Sequence, residues 1–172
     1  MAKLVNAEPT KTIYINAIDQ RIGFLEVSMS KVAIIYASGL GRTKQMAETI
    51  ADGARTIEGV DVVLKDAYDA TIEDVKDADA ILMGGSTYNY KLIKAMDPFL
   101  DKMKGLDLKG KVGMAFGSYG WSGESIPTLT KRMKAFGMNV IEPGITTIQV
   151  PDAVVIERCF KTGRTVAQGV KA

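Results

Sequence analysis

Glycine, hydroxyl and aromatic residues gather in three short stretches of this chain, each at the end of an apolar run. The first is Ser38-Gly39-Leu40-Gly41-Arg42-Thr43. Ser38 and Thr43 offer hydroxyl donors, and Gly39 and Gly41 let a backbone approach a ligand closely. The apolar run Val32 to Tyr36 precedes this stretch and reads as a strand buried on both faces. A helical pattern follows from Thr43, with Met46, Ala47, Ile50 and Ala54 on one side. Strand, tight loop and helix N-terminus make an anion site, because unpaired N–H groups and the helix dipole point at the loop. An ordinary strand-to-helix turn with a hydroxyl cap accounts for the same residues equally well. The stretch is not GxxxxGK[ST], which excludes a triphosphatase loop, and it is not GxGxxG, which leaves a dinucleotide loop poorly supported.

The second stretch is Gly85-Ser86-Thr87-Tyr88-Asn89-Tyr90 and the third is Gly117-Ser118-Tyr119-Gly120-Trp121-Ser122-Gly123. Small polar residues beside aromatic rings suit a flat, partly polar heterocycle: the rings stack on its face and loop amides bond its edge. Taken singly, each aromatic reads as a packing residue in a structured loop. Together they hold the only Trp and three of the six Tyr of the chain. Phosphate at one end and a planar ring at the other describe a mononucleotide cofactor.

Absences narrow the chemistry further. The chain has no histidine and one cysteine, Cys159. A histidine-based triad or metal site is excluded, as are cysteine-rich zinc and iron–sulfur sites. Difficult chemistry would have to come from a bound organic cofactor. A lone cysteine rules out an internal disulfide framework and suits the cytoplasm. The net charge of +2, with no basic run interleaved with aromatics, argues against nucleic acid. No apolar stretch is long enough to span a membrane, and no apolar core follows Lys3 as in a secretory signal.

The elements that must position these stretches alternate along the chain. Its 172 residues fit one domain with a sizeable core. Strands are expected over 32–36, 60–64, 78–84, 111–116 and 139–150, the last interrupted at Pro143-Gly144. Helices are expected over 43–57, from a Thr71 cap with Asp74, over 93–103, over 124–136, and from an Asp152 cap. The last helix carries the stripe Val155, Ile156, Cys159, Phe160, Val166, Ala167 and Val170. Five strands alternating with helices give a parallel sheet covered on both faces. Ligands bind such sheets beyond the carboxyl ends of the strands, at a topological switch point. The three unusual stretches follow strands one, three and four, so all lie at that edge.

Residues 1–30 differ from the rest. Thr12-Ile13-Tyr14-Ile15 and Arg21-Ile22-Gly23-Phe24-Leu25-Glu26-Val27 are strand-like. Three readings stand side by side: a hairpin covering a sheet edge or an oligomer contact, a remnant of gene-start assignment, and disorder. The compact domain is expected over 31–172.

Residues 31 to about 168 resemble flavodoxins, and most closely the flavodoxin-like domain of flavodiiron proteins. Ser38 to Thr43 stand where flavodoxins have their phosphate loop. Gly84-Gly85-Ser86-Thr87-Tyr88-Asn89 looks like the family's loop beside the flavin. Ala115-Phe116-Gly117-Ser118-Tyr119-Gly120-Trp121 is nearly the flavodiiron form of the second flavin loop. Glu157-Arg158-Cys159-Phe160 with Gly163-Arg164 also resembles that subfamily. The resemblance implies a flavodoxin-like, doubly wound five-stranded parallel sheet that binds FMN. Leu40 replaces a hydroxyl or aromatic residue, Arg42 stands where Asn or Thr is usual, and Ser86 stands where Pro is frequent. Arg42 either pairs with the phosphate or points into solvent. The diiron domain of flavodiiron proteins is built on His and carboxylates and is not matched by this sequence, so reduction of oxygen or nitric oxide by this chain alone is not implied.

The reading that follows is an FMN-binding electron carrier. Ser38, Gly39, Leu40, Gly41, Arg42 and Thr43 would bind the phosphate. Ser86, Thr87, Tyr88, Asn89 and Tyr90 would hold the isoalloxazine together with Ser118, Tyr119, Gly120, Trp121 and Gly123. No residue need act as acid or base. The alternative is an FMN-dependent NAD(P)H or quinone reductase, which needs an open pocket and usually a dimer. A response-regulator module is poorly supported, because Ala37 and Ser38 stand where its acidic residues belong. Typical flavodoxins are markedly acidic and this chain is slightly basic, so a different partner set is expected, such as a diiron or ferredoxin-type protein.

Overall fold

The computed structural model describes residues 29–171, and the strand-like segments 12–15 and 21–27 lie outside the described residues. The chain runs β1 (Ser30–Ala37), α1 (Arg42–Arg55), β2 (Val60–Asp66), α2 (Ile72–Lys76), β3 (Ala80–Gly85), β4 (Thr87–Tyr88), β5 (Lys91–Leu92), α3 (Asp97–Lys102), β6 (Val112–Tyr119), α4 (Ser125–Ala135), β7 (Asn139–Ile148) and α5 (Ala153–Lys171). The main sheet is parallel throughout, in the order β2-β1-β3-β6-β7. The chain winds one way from β1 to β2 and the other way from β3 onward. The switch point therefore lies between the carboxyl ends of β1 and β3.

Alternation along the central strands feeds two cores. On one face Ala33, Ile35, Ile81, Met83 and Ala115 pack with Val75, Phe99, Leu100, Leu129 and Met133 from α2, α3 and α4. On the other face Ile34, Tyr36, Leu82, Met114 and Phe116 pack with Met46 and Ile50 of α1 and Cys159, Val166 and Ala167 of α5. Each fully buried Ile, Leu, Met or Phe contributes roughly 1.5–3 kcal/mol of transfer free energy. These two clusters hold the sheet edge in place. The α1 and α5 helices cross with their backbones in direct approach. A Cβ on Gly53 would overlap the Phe160 carbonyl, and one on Gly163 would overlap the Ile50 carbonyl.

Local signals hold at the caps. Asp74 accepts the backbone N–H of Thr71 at 2.7 Å and its hydroxyl at 2.9 Å. Asp152 accepts the backbone N–H of Val155 at 2.9 Å at the start of α5. Three expectations need correction. The helix expected over 93–103 is a 3-10 turn, Lys94–Met96, followed by the short α3 with Pro98 in its first turn. Proline lacks the N–H that a continuous helix would need there. Pro143-Gly144 does not interrupt the fifth strand: Met114 pairs with Ile141 and Phe116 with Ile145, so a bulge absorbs the extra residues. Phe160 is not part of the buried stripe of α5 but exposed, and Gly163 takes the contact with α1 instead.

Candidate functional site

The loop after β1 enters α1 through Gly41, whose φ of 78° is left-handed. Such a turn favours glycine, because a Cβ would crowd the backbone. No side chain caps the helix. The hydroxyl-cap reading of the loop is therefore not what the structure shows, and the first N–H groups of α1 are left for another acceptor. The Ser38 hydroxyl is buried at the mouth of this loop without a partner. Buried polar atoms are rarely left so, and an orphan of this kind is a sign of an expected ligand. Leu40 is 79% exposed and Arg42 forms no ion pair among the described residues.

Thr43 is fully buried and ties the three loops together. Its hydroxyl lies 2.9 Å from that of Ser86 and 3.3 Å from that of Ser118, and it accepts the Ser118 backbone N–H at 3.3 Å. A second link joins Thr87 to α4. The Thr87 hydroxyl donates to Ser125 Oγ and accepts the Ser125 N–H, both at 3.0 Å. Hydroxyls read from sequence as ligand donors thus include four that brace the loops against one another or against α4. Ser38 is the one left open.

The second loop is more ordered than its sequence suggests. Thr87–Tyr88 and Lys91–Leu92 form a two-residue hairpin with Asn89 and Tyr90 at its tip. Both tip residues are left-handed, at φ 49° and 59°. Hairpin turns with two positive φ values normally carry Asn-Gly, and the missing glycine hid this one. A tyrosine there costs on the order of 1–3 kcal/mol, and such strain clusters at functional sites. Tyr88 is 70% and Tyr90 67% exposed. The base of the hairpin lies beside the first loop, where a Cβ added to Gly39 would meet Ile93 Cδ1 at 3.8 Å.

The third loop presents Trp121, 86% exposed, with the Tyr119 ring held against Gly123. Gln149 N–H donates to the Tyr119 carbonyl at 2.6 Å and anchors the loop to the end of β7. Sequence reasoning missed Glu124, one of whose carboxylate oxygens is buried at the start of α4 without a partner. Among the described residues no group of His, Cys, Asp and Glu could hold a metal ion. A cleft between β7 and α5, lined by Ile141, Pro143, Val154 and Arg158, lies away from these loops.

An uncapped helix start with an open buried hydroxyl, next to three exposed aromatic rings, fits a phosphate at one end and a planar ring at the other. Comparison with known proteins agrees. The Flavodoxin family model matches residues 34–163. A flavodoxin of Clostridium beijerinckii is 31% identical over 78% of this chain and 97% of its own. A nitric oxide reductase of Moorella thermoacetica is 37% identical over 80% of this chain but only 36% of its own length. Among solved structures, an archaeal flavodoxin superposes with a TM-score of 0.77 at 36% identity, covering 83% of this chain and 99% of that one. The rubredoxin–oxygen oxidoreductase of Desulfovibrio gigas gives 0.76 at 30% identity, covering 82% and 36%. The chain thus spans about a third of the flavodiiron-type relatives and nearly the whole of the Clostridium beijerinckii and archaeal flavodoxins. No helix of the described residues is long and apolar enough to cross a membrane. The chain belongs to the flavodoxin family, whose members bind FMN and carry electrons between redox partners.

Proposed function

We propose that this chain binds FMN at the carboxyl edge of its sheet and passes electrons between redox proteins, with Ser38 to Thr43 on the phosphate and the loops at 86–90 and 118–123 on the isoalloxazine. The observation that carries the reading is the open Ser38 hydroxyl beside the uncapped start of α1, with Tyr88, Tyr90 and Trp121 exposed on the neighbouring loops. The first N–H groups of α1 and the Ser38 hydroxyl donate to the phosphate oxygens, and the helix dipole favours their charge. Tyr88 and Trp121 cover the ring and keep water from its faces. Bound FMN supplies the one- or two-electron chemistry, and the loops set its potential through stacking and edge hydrogen bonds. The hydroxyls of Thr43, Ser86 and Ser118 also fix the relative positions of the loops.

A diiron or ferredoxin-type protein is the partner class that suits the slightly basic chain, and names such as rubredoxin–oxygen oxidoreductase among the relatives support redox exchange with proteins of that kind. FMN and riboflavin titrations test the phosphate assignment. FMN should bind far more tightly than riboflavin, and Ser38→Ala should narrow that gap about tenfold or more, as expected for a lost hydrogen bond to a charged group. Equal affinity for the two flavins would refute the assignment. NAD(P)H oxidation by the FMN-loaded protein with quinone as acceptor separates the carrier from a reductase.

A further inference from the structure

Among the described residues, two buried side-chain atoms lack a hydrogen-bond partner, Ser38 Oγ and Glu124 Oε2. Both stand at the carboxyl edge of the sheet, one after β1 and the other where the loop after β6 enters α4. Ser38 is assigned to the phosphate in the reading above, and Glu124 has no task in it. The ordinary uses of a carboxylate do not account for Glu124. It stands at the start of α4, yet its side chain makes no capping hydrogen bond. Asp74 and Asp152, at the starts of α2 and α5, both accept backbone N–H groups. Glu124 also enters none of the ion pairs among the described residues. Its neighbours in the chain are tied down on both sides. Ser125 is buried and bonded to Thr87 of the second loop through its hydroxyl and its N–H. A Cβ on Gly123 would meet the Tyr119 ring of the third loop at 3.2 Å. Glu124 thus stands at the seam of the two loops proposed to hold the isoalloxazine.

The chemistry of the group says what it can take. An ionised carboxylate accepts hydrogen bonds and donates none. A shielded oxygen left without a donor is costly, so such atoms are rarely left open. A phosphate cannot serve Glu124, because like charges repel. The missing partner is therefore an N–H or O–H group. Oxidised FMN carries such donors away from its phosphate, in the imide N–H of the ring and the hydroxyls of the ribityl chain. We propose that Glu124 is a cofactor-binding residue whose carboxylate accepts a hydrogen bond from an N–H or O–H donor of FMN. The proposal rests on the FMN reading above. Because the group is an anion, it also favours the uncharged oxidised ring over the more negative reduced one. It therefore holds the midpoint potential of the bound cofactor down.

The test titrates the flavin-free protein and its Glu124→Gln variant with FMN, riboflavin, 3-methyl-FMN and lumiflavin. The variant keeps the size of the side chain and removes its charge. It should bind FMN and riboflavin each about tenfold more weakly, as expected for a lost hydrogen bond to a charged group, with the ratio between the two as in the wild type. Two arms locate the donor. If it is the imide N–H, methylation at that nitrogen weakens the wild type about tenfold and the variant no further. If it is a ribityl hydroxyl, the preference for riboflavin over lumiflavin falls about tenfold in the variant. The midpoint potential of bound FMN should become more positive in the variant. The urea midpoint of the flavin-free variant should stay level or rise, because a shielded, unpaired charge has been removed. Should Glu124→Gln not fold, Glu124→Asp draws the carboxylate back by one methylene and should lose the same affinity. Wild-type flavin affinities in the variant would overturn the proposal, since water would then serve the oxygen. So would a lower urea midpoint in the flavin-free variant, since the carboxylate would then have a partner within the protein. An unchanged or more negative potential would overturn the effect assigned to the charge. Failure of the wild-type protein to take up FMN is a different outcome and would sink the cofactor reading instead.

Discussion

Thr43 reaches all three loops with one hydroxyl, and its loss should be felt before any cofactor is added. Thr43→Ala leaves the hydroxyls of half-buried Ser86 and buried Ser118 short of a partner, at a cost of about 1–3 kcal/mol. Urea unfolding of the cofactor-free protein should show that loss, and Thr43→Ser should recover most of it. An unchanged midpoint in the alanine variant would mean that the loops are braced by something else. Cys159 gives a second handle at this scale. Burial pushes its thiol up to about 11, with the Arg158 charge pulling the other way. A thiol in the unfolded chain titrates near 9.0. The folded protein keeps a proton that the unfolded chain gives up as pH rises. This contribution is complete below about 9 and lost as pH climbs toward about 11. Tyr36 is raised by burial and then by Asp66, Glu48 and Asp69, and adds to the same alkaline decline. Urea unfolding across that window should therefore show falling stability with a shallower slope in Cys159→Ala, and parallel slopes would contradict the assignment.

At the scale of elements, the α1–α5 contact carries one wall of the candidate site, because α1 begins at the loop proposed to bind the phosphate. Gly163→Ala would place a methyl group into the Ile50 carbonyl and force the helices apart. The expected loss is about 1–3 kcal/mol, the usual range for overpacking, read as a lowered thermal midpoint. Full stability in that variant would show that the helices yield cheaply. The central strands and the amphipathic helices were legible in the sequence, since burial on both faces and the 3.6-residue stripe are strong, local patterns. The β4–β5 hairpin was not, because a turn of Asn89 and Tyr90 lacks the glycine that announces it. The bulge at Pro143-Gly144 was hidden for a related reason. Proline and glycine usually end a strand, and only its pairing with β6 keeps this one continuous. Phe160 was read as buried because helical period alone cannot say where a neighbouring backbone needs room.

The whole molecule explains why three weak motifs make one site. Each loop alone is an ordinary turn, and only the order β2-β1-β3-β6-β7 sets the loops after β1, β3 and β6 side by side. Sequence alternation implied that edge, but not which hydroxyls would bind one another. Ser86 and Ser118 meet Thr43, and Thr87 meets Ser125, in hydrogen bonds that residue type alone does not announce. Charge is a property of the whole chain too. With 22 basic and 20 acidic residues there is little net field to steer a partner. The central claim is that this edge holds FMN. Titration of the purified, flavin-free protein with FMN, followed by visible absorption and flavin fluorescence, tests it most directly. The account predicts saturation at one FMN per chain, with perturbed flavin bands and quenched fluorescence as the rings of Tyr88 and Trp121 cover the isoalloxazine. Flavin that stays free in solution, with its spectrum and emission unchanged at full excess of protein, would contradict it.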